Sequence, residues 1–252
     1  MMEEESVQKC GKMYVFKPFV FEKCFPREQT YSSPRASPKP RSGHRIVCDE
    51  NNLYSFGGYN PSGSPNEDDA WPPKLFRELW KYNFASKKWT NVPIQMSLPT
   101  ELASNAVVLS GGLLMVYGGT GVPFGKECSN TLYVCDVVRG TPMKSLEVSG
   151  RKPVPLYGQA LVLDDNYMYT VGGTTGLAYN SDVHRLNLRT CEWEEVYICT
   201  GKEPSEPTGR YRHELAFHKG KIFILGGGTA DISYGFEVSC SSELPFLLLH
   251  SK

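Results

Sequence analysis

Short, mostly apolar runs recur along this chain, and four of them end in a pair of glycines. They are Leu53–Phe56 before Gly57-Gly58, Leu113–Tyr117 before Gly118-Gly119, Tyr167–Val171 before Gly172-Gly173, and Lys221–Leu225 before Gly226-Gly227. The first glycines stand at 57, 118, 172 and 226, so the unit recurs every 54 to 61 residues. Thirteen residues before each of them stand His44, Asn105, Gln159 and His213, side chains that can both donate and accept a hydrogen bond. Each opens a short apolar run: Ile46-Val47, Ala106–Leu109, Ala160–Leu163 and Leu215–Phe217. Polar turns such as Asp49–Asn52 and Asp164–Asn166 lead back into the glycine-pair strand. The pattern predicts a two-stranded hairpin, four times over.

Two further strands follow the hairpin. Glu78–Asn83 runs on to Trp89, and Asp182–Asn187 runs on to Trp193, while Thr131–Asp136 arrives at Met143 instead of a tryptophan. A large aromatic at the end of a fourth strand packs between neighbouring sheets, and a methionine fills the same space less rigidly. Four-stranded units repeating near fifty residues predict an all-β propeller. Glycine pairs suit the crowded axis of such an array, because a residue without Cβ allows close backbone approach and positive φ. Phosphate cradling is the alternative, but no helix opening and no Lys-Ser or Lys-Thr follows any pair at P-loop spacing.

Composition narrows the partners. The chain of 252 residues carries 27 basic and 27 acidic residues, which marks no nucleic-acid or anionic-membrane partner. Its 24 glycines, 18 prolines, 14 tyrosines and 12 phenylalanines fit an all-β chain rich in turns. The start, Met1–Glu5, lacks the basic and apolar regions of a signal peptide, and no apolar run approaches the roughly 20 residues of a membrane helix. A cytoplasmic or nuclear chain is expected. The eight cysteines, at 10, 24, 48, 128, 135, 191, 199 and 240, form no Cys-x-x-Cys pair, so reduced thiols and no structural metal are expected.

Glycine pair, aromatic or histidine strand, then tryptophan, repeated over residues 41 to 229, resembles the kelch repeat. On that reading the chain is an incomplete kelch propeller of about three and a half four-stranded blades. Residues 1–40 form an extension with a Pro/Ser linker, with Met13–Phe25 a possible edge strand. Blades cover 41–98, 99–150 and 151–207, a half blade covers 208–229, and 230–252 is a divergent tail in which 244–250 offers only an interrupted strand around Pro245. Unpaired strand edges are expected around 215–229. A wedge with two open faces is expected to be marginal and aggregation-prone unless a partner covers them.

The resemblance implies a non-catalytic protein-interaction module, like the substrate-recognition propeller of a cullin-RING ubiquitin ligase receptor that reads short C-terminal peptides. The implied partners are a substrate protein or peptide and cullin/elongin-type components, although the chain shows no helical cullin-adaptor box, so it is expected to bind no cullin by itself. No cofactor is implied. Ligands of propellers sit at the channel mouth, here the tetrads Arg41–His44, Leu102–Asn105, Leu156–Gln159 and Arg210–His213, and the residues past the glycine pairs, Tyr59, Thr120, Thr174 and Thr229. The candidate peptide-binding residues are Arg41, Tyr59, Tyr157, Arg210, Tyr211 and Arg212. Two guanidinium groups flanking a tyrosine suit a carboxylate. The competing reading gives each arginine to loop carbonyls at the start of its blade. A copper-radical oxidase on a kelch-like propeller is a second alternative. It needs Tyr, His and Cys converging, and the five histidines at 44, 184, 213, 218 and 250 show no ligand spacing. The acidic loop Asn66–Asp69 lacks EF-hand spacing. A third alternative is a general scaffold, cytoskeletal or signalling, that uses the outer blade faces.

Overall fold

The computed structural model describes residues 37–60, 74–94, 103–229 and 246–248. The expected edge strand Met13–Phe25, the loop Asn66–Asp69 and most of the tail lie outside the described residues. Every regular element among the described residues is a strand.

The first sheet is built from β1 (Arg45–Cys48), β2 (Asn52–Phe56), β5 (Leu79–Asn83) and β6 (Lys88–Val92), in that order and antiparallel throughout. Between β2 and β5 a small ladder joins β3 (Tyr59–Asn60) to β4 (Lys74–Leu75). The second sheet runs β7 (Ala106–Ser110), β8 (Leu113–Tyr117), β9 (Leu132–Asp136) and β10 (Lys144–Ser145). The third holds β11 (Ser149–Gly150), β12 (Ala160–Asp164), β13 (Tyr167–Thr174), β14 (Tyr179–Asn187) and β15 (Glu192–Tyr197), with β11 parallel to β15 on its outer edge. Ser149 and Gly150, expected to end the second blade, are therefore hydrogen-bonded to the third. The fourth sheet holds β16 (Glu214–His218), β17 (Lys221–Leu225) and β18 (Phe246–Leu248). Its third strand comes from the segment where the repeat pattern is lost, and it pairs with the edge of β17 expected to stay open. Unpaired N–H and C=O groups template such pairing whatever the side chains.

Three apolar layers glue the sheets together. Tyr54, Phe56 and Leu79 of the first sheet meet Leu114, Val116, Cys135 and Met143 of the second. Met143 is fully buried, filling the place that tryptophan takes elsewhere. Met115, Tyr117 and Leu132 then meet Met168, Leu186 and Trp193, with the Tyr117 and Trp193 rings 5.2 Å apart. Tyr169, Val171 and Val183 meet Ile222 and Ile224. Each such side chain, fully buried, contributes about 1.5–3 kcal/mol of transfer free energy.

The inner strands β1, β7, β12 and β16 lie side by side in that order. Here the glycine pairs have their reason. A Cβ on Gly118 would fall 1.6 Å from Gln159 Nε2, and one on Gly172 would fall 2.9 Å from His213 Cε1. The first glycine of a blade thus vacates the space that the next blade's polar residue occupies. Over Gly226 the same space is open. Arg45 crosses the axis in front of all of them. Its Nε donates to the Asn105 carbonyl at 3.2 Å, one terminal nitrogen reaches the Gln159 carbonyl at 3.5 Å, and the other pairs with Glu214. The matching positions of the middle blades are Ala106 and Ala160, short enough to leave the crossing free.

Two outcomes follow. Gly118→Ala is expected to cost about 2–5 kcal/mol, from positive-φ strain and overpacking together; Gly226→Ala keeps only the strain, about 1–2 kcal/mol. Arg45→Met is expected to cost about 1–2 kcal/mol, because two carbonyls lose a charged donor, whereas Glu214→Gln, on a side chain 67% exposed, costs under about 1 kcal/mol. Denaturant titration of the four variants measures both contrasts.

Candidate functional site: the axial rim

The four tetrads share one backbone design. Their third residues, Gly43, Ser104, Gly158 and Arg212, all have positive φ, between 53° and 70°. This lets the Ser104 amide donate to the Gly43 carbonyl, the Gly158 amide to the Ser104 carbonyl, and the Arg212 amide to the Gly158 carbonyl, at 2.6–2.7 Å. A chain of hydrogen bonds therefore runs from blade to blade around the axis. The second tetrad residues bridge to the position after the glycine pair: Ser42 to Tyr59, Ala103 to Thr120, Tyr157 to Thr174 and Tyr211 to Gly228. In the fourth repeat that position is Gly228 and not the expected Thr229, because the glycine run there is three residues long.

The geometry separates the candidate arginines. Arg41 donates through Nε to the Lys39 carbonyl and through a terminal nitrogen to the Gly57 carbonyl. It also pairs with Glu78 and lies 4.0 Å above the Phe76 ring, with its side chain 3% exposed. Arg210 repeats this design, with Nε on the Thr208 carbonyl and a terminal nitrogen on the Gly226 carbonyl, 3.2 Å away. Both arginines hold the start of a blade. Arg212 does not: it is exposed, has no ion pair among the described residues, and stands 5.6 Å over the Tyr211 ring. The expected two-arginine clamp around Tyr211 thus presents one available guanidinium.

The candidate tyrosines belong to a longer aromatic line. Tyr59 meets Phe124 at 4.8 Å, Phe124 meets Tyr157 at 5.7 Å, and Tyr179 meets Tyr211 at 5.4 Å, all edge to face. Burial raises the Tyr157 phenol above its usual range, with Cys128, Tyr179 and Tyr211 adding to it and Arg212 opposing. Phe124 and Tyr179 lie off the repeat register, so glycine-pair alignment passes over them; aromatics close to turn glycines, Phe124 just before Gly125 and Tyr179 three residues after Gly176, were the available signal.

Three of the four fourth-position tetrad residues point inward. Asn105, Gln159 and His213 are buried, and Gln159 Nε2 donates to the Tyr117 carbonyl at 3.4 Å. Burial pushes the His213 imidazole down to about 4, with Arg210 adding and the Val171 carbonyl opposing. His44 is exposed, and its imidazole is lowered by partial burial and by Arg41 and Arg45. Among the described residues no group of three His, Cys, Asp or Glu side chains is placed to hold a metal ion. Cys48, Cys128, Cys135, Cys191 and Cys199 are free thiols, and burial pushes Cys135 up to about 11.

Comparison with known proteins decides the family. The family model of the KLHDC2/KLHL20/DRC7 Kelch-repeats domain matches residues 4–227. The chain belongs to the kelch-repeat family. It is 41% identical over 243 residues to the Kelch domain-containing protein 10 homolog of Drosophila melanogaster, covering 93% of this chain and 40% of that protein. It is 46% identical over 208 residues to Kelch domain-containing protein 10 of Xenopus laevis (81% and 49%), and 44% identical over 206 residues to that of Homo sapiens (78% and 44%). The chain thus spans under half the length of these relatives. Kelch repeats are protein-interaction domains, and the four hairpins, the glycine pairs and the tryptophan layer are this family's architecture.

His213 gives the kelch axis a pH dependence. In the unfolded chain the imidazole protonates near pH 6.5, and in the folded one only near 4, so protons favour the unfolded state between those values. Stability is therefore expected to fall as pH drops from about 6.5 to 4, by on the order of 3 kcal/mol. His213→Gln, which installs the third blade's residue, is expected to flatten that segment of the Tm–pH curve by comparison with the parent.

Proposed function

We propose that the axial rim binds the C-terminal segment of a partner protein, with the terminal carboxylate on Arg212 and the preceding residues along Tyr157, Tyr179 and Tyr211. The observation that carries this reading is Arg212 itself. Its slot requires a left-handed backbone, and the other blades fill it with glycine or serine. A long cationic residue there costs about 1–2 kcal/mol of conformational strain and gains no ion pair among the described residues. Strain kept without a structural return marks a working side chain. A guanidinium above an aromatic ring is suited to a carboxylate, which accepts two parallel N–H bonds from it.

On this reading the protein is a non-catalytic receptor, and nothing on the rim is asked to do chemistry beyond recognition. The wider assignment, to substrate recognition for a cullin-type ubiquitin ligase in the cytoplasm or nucleus, rests on the family resemblance alone. Contact with cullin or elongin-type components is assigned to no residue described above.

Arg212→Gly is the decisive variant. It restores the residue of two other blades, so Tm is expected to stay level or rise, while capture of free-acid peptides from a C-terminal library falls at least about tenfold, as loss of a charged hydrogen bond implies. Amidated peptides are expected to bind the parent protein as weakly as free acids bind the variant. Equal capture of acids and amides by the parent would overturn the proposal.

A further inference from the structure

A second feature lies beneath the rim, between the second and third sheets. Directly paired residues of the second and third strands of a blade share a face, and one such pair recurs in three blades: Ser55 with Trp80, Val116 with Tyr133, and Thr170 with His184. The first two blades put a large ring in this slot. Trp80 is 5% exposed, and Tyr133 packs into the layer between the first and second sheets. The third blade has the smaller imidazole, and beside it is a cavity of about 260 Å³. Its apolar lining includes Tyr117, Leu156 and the exposed Val154 and Ile198, and Thr170 and His184 face it together with Lys152, Gln159, Asn180, Asp182 and Glu195.

Thr170 is 4% exposed and His184 8%, yet among the described residues neither the hydroxyl nor the imidazole makes a hydrogen bond. Burial lowers the His184 imidazole, with Asp182 and Glu195 opposing, so near pH 7 a neutral ring offers one donor and one acceptor. In the same lining the Tyr117 hydroxyl and Gln159 Oε1 are buried with no hydrogen-bond partner among the described residues, and leaving a buried polar group bare costs about 1–3 kcal/mol. Apolar side chains around a few convergent polar groups are the usual make-up of a small-ligand pocket.

We propose that this cavity is a binding site for an aromatic ring carrying a hydrogen-bonding substituent, a phenol or an indole, which takes the position that Trp80 and Tyr133 occupy in the neighbouring blades. The ring fills the space against Tyr117, Leu156 and Ile198, and its O–H or N–H meets His184 and Thr170. The site is separate from Arg212 and from the aromatic line of the rim, so it stands whether or not the rim binds peptide.

The probes are p-cresol, toluene and N-acetyl-tyrosinamide, each titrated into the full chain. At a tenfold excess over its dissociation constant, p-cresol is expected to raise Tm by about 3–5 °C, and toluene less. Thr170→Val is expected to keep the fold and reduce the preference for p-cresol over toluene at least about threefold. His184→Tyr carries the ring in place, so it is expected to raise Tm unaided and abolish the p-cresol shift. Binding of N-acetyl-tyrosinamide as well as p-cresol identifies a side chain of a partner as an eligible source of the ring; p-cresol alone identifies a free small molecule. Absence of any p-cresol shift in the parent, or a p-cresol shift that survives intact in His184→Tyr, overturns the proposal.

Discussion

Crowding at the axis is the constraint on which the rest of this structure depends. Four inner strands converge there, and their backbones meet through a chain of amide–carbonyl bonds from Gly43 to Ser104 to Gly158 to Arg212. Each bond contributes only about 1 kcal/mol net, but each demands a left-handed residue and a particular spacing between sheets. The glycine pairs meet the spacing, since Gly118 and Gly172 leave room for Gln159 and His213 of the following blade. Arg45 then ties the first blade to the other three through Asn105, Gln159 and Glu214. Nearest-neighbour packing alone would let a repeat array hinge; a side chain that reaches from the first inner strand to the fourth opposes that.

This geometry sorts the tetrad into four jobs. The first residue, where it is arginine, secures the start of the blade, as Arg41 and Arg210 do on carbonyls two residues back and sixteen ahead. The second bridges to the strand end and places a side chain on the rim, as with Tyr157 and Tyr211. The third belongs to the axial hydrogen-bond chain, and the fourth, in every blade but the first, is turned into the core, where burial keeps His213 neutral. On the proposed reading a ligand at the mouth meets second and third positions, and its carboxylate pairs with the third-position arginine, since first-position arginines are held on carbonyls.

Much of this was legible in the residues. The glycine pairs, the polar residue thirteen positions upstream, Trp193 and its substitute Met143 are fixed by volume and backbone freedom, and these act at every repeat in the same way. What escaped is what differs between repeats or joins distant ones. The four residues at the Arg45 position, Arg, Ala, Ala and Glu, read as noise until the axis puts the first and last together. Arg210 and Arg212 are two residues apart and look like a pair, although a left-handed residue sends one side chain toward the rim and the other stays on the backbone. Comparing Arg210 with Arg41 in register was the clue that the first position is structural. Strand β18 carries no repeat signature because main-chain pairing with β17 requires none.

A repeat protein states its neutral solution several times over, so each departure from it can be weighed. Met143 for tryptophan fills its space and leaves nothing bare, which makes it a packing variant. Arg212 in a slot of glycine or serine retains strain and has no ion pair among the described residues, and His184 in an aromatic slot adjoins a cavity where neither it nor Thr170 makes a side-chain hydrogen bond among the described residues. The Arg212 strain is one that the glycines of the first and third blades avoid. In a domain held by a modest margin over the unfolded chain, such costs persist where a ligand offsets them. The two departures lie apart, one at the rim and one between the second and third sheets, and neither requires the other.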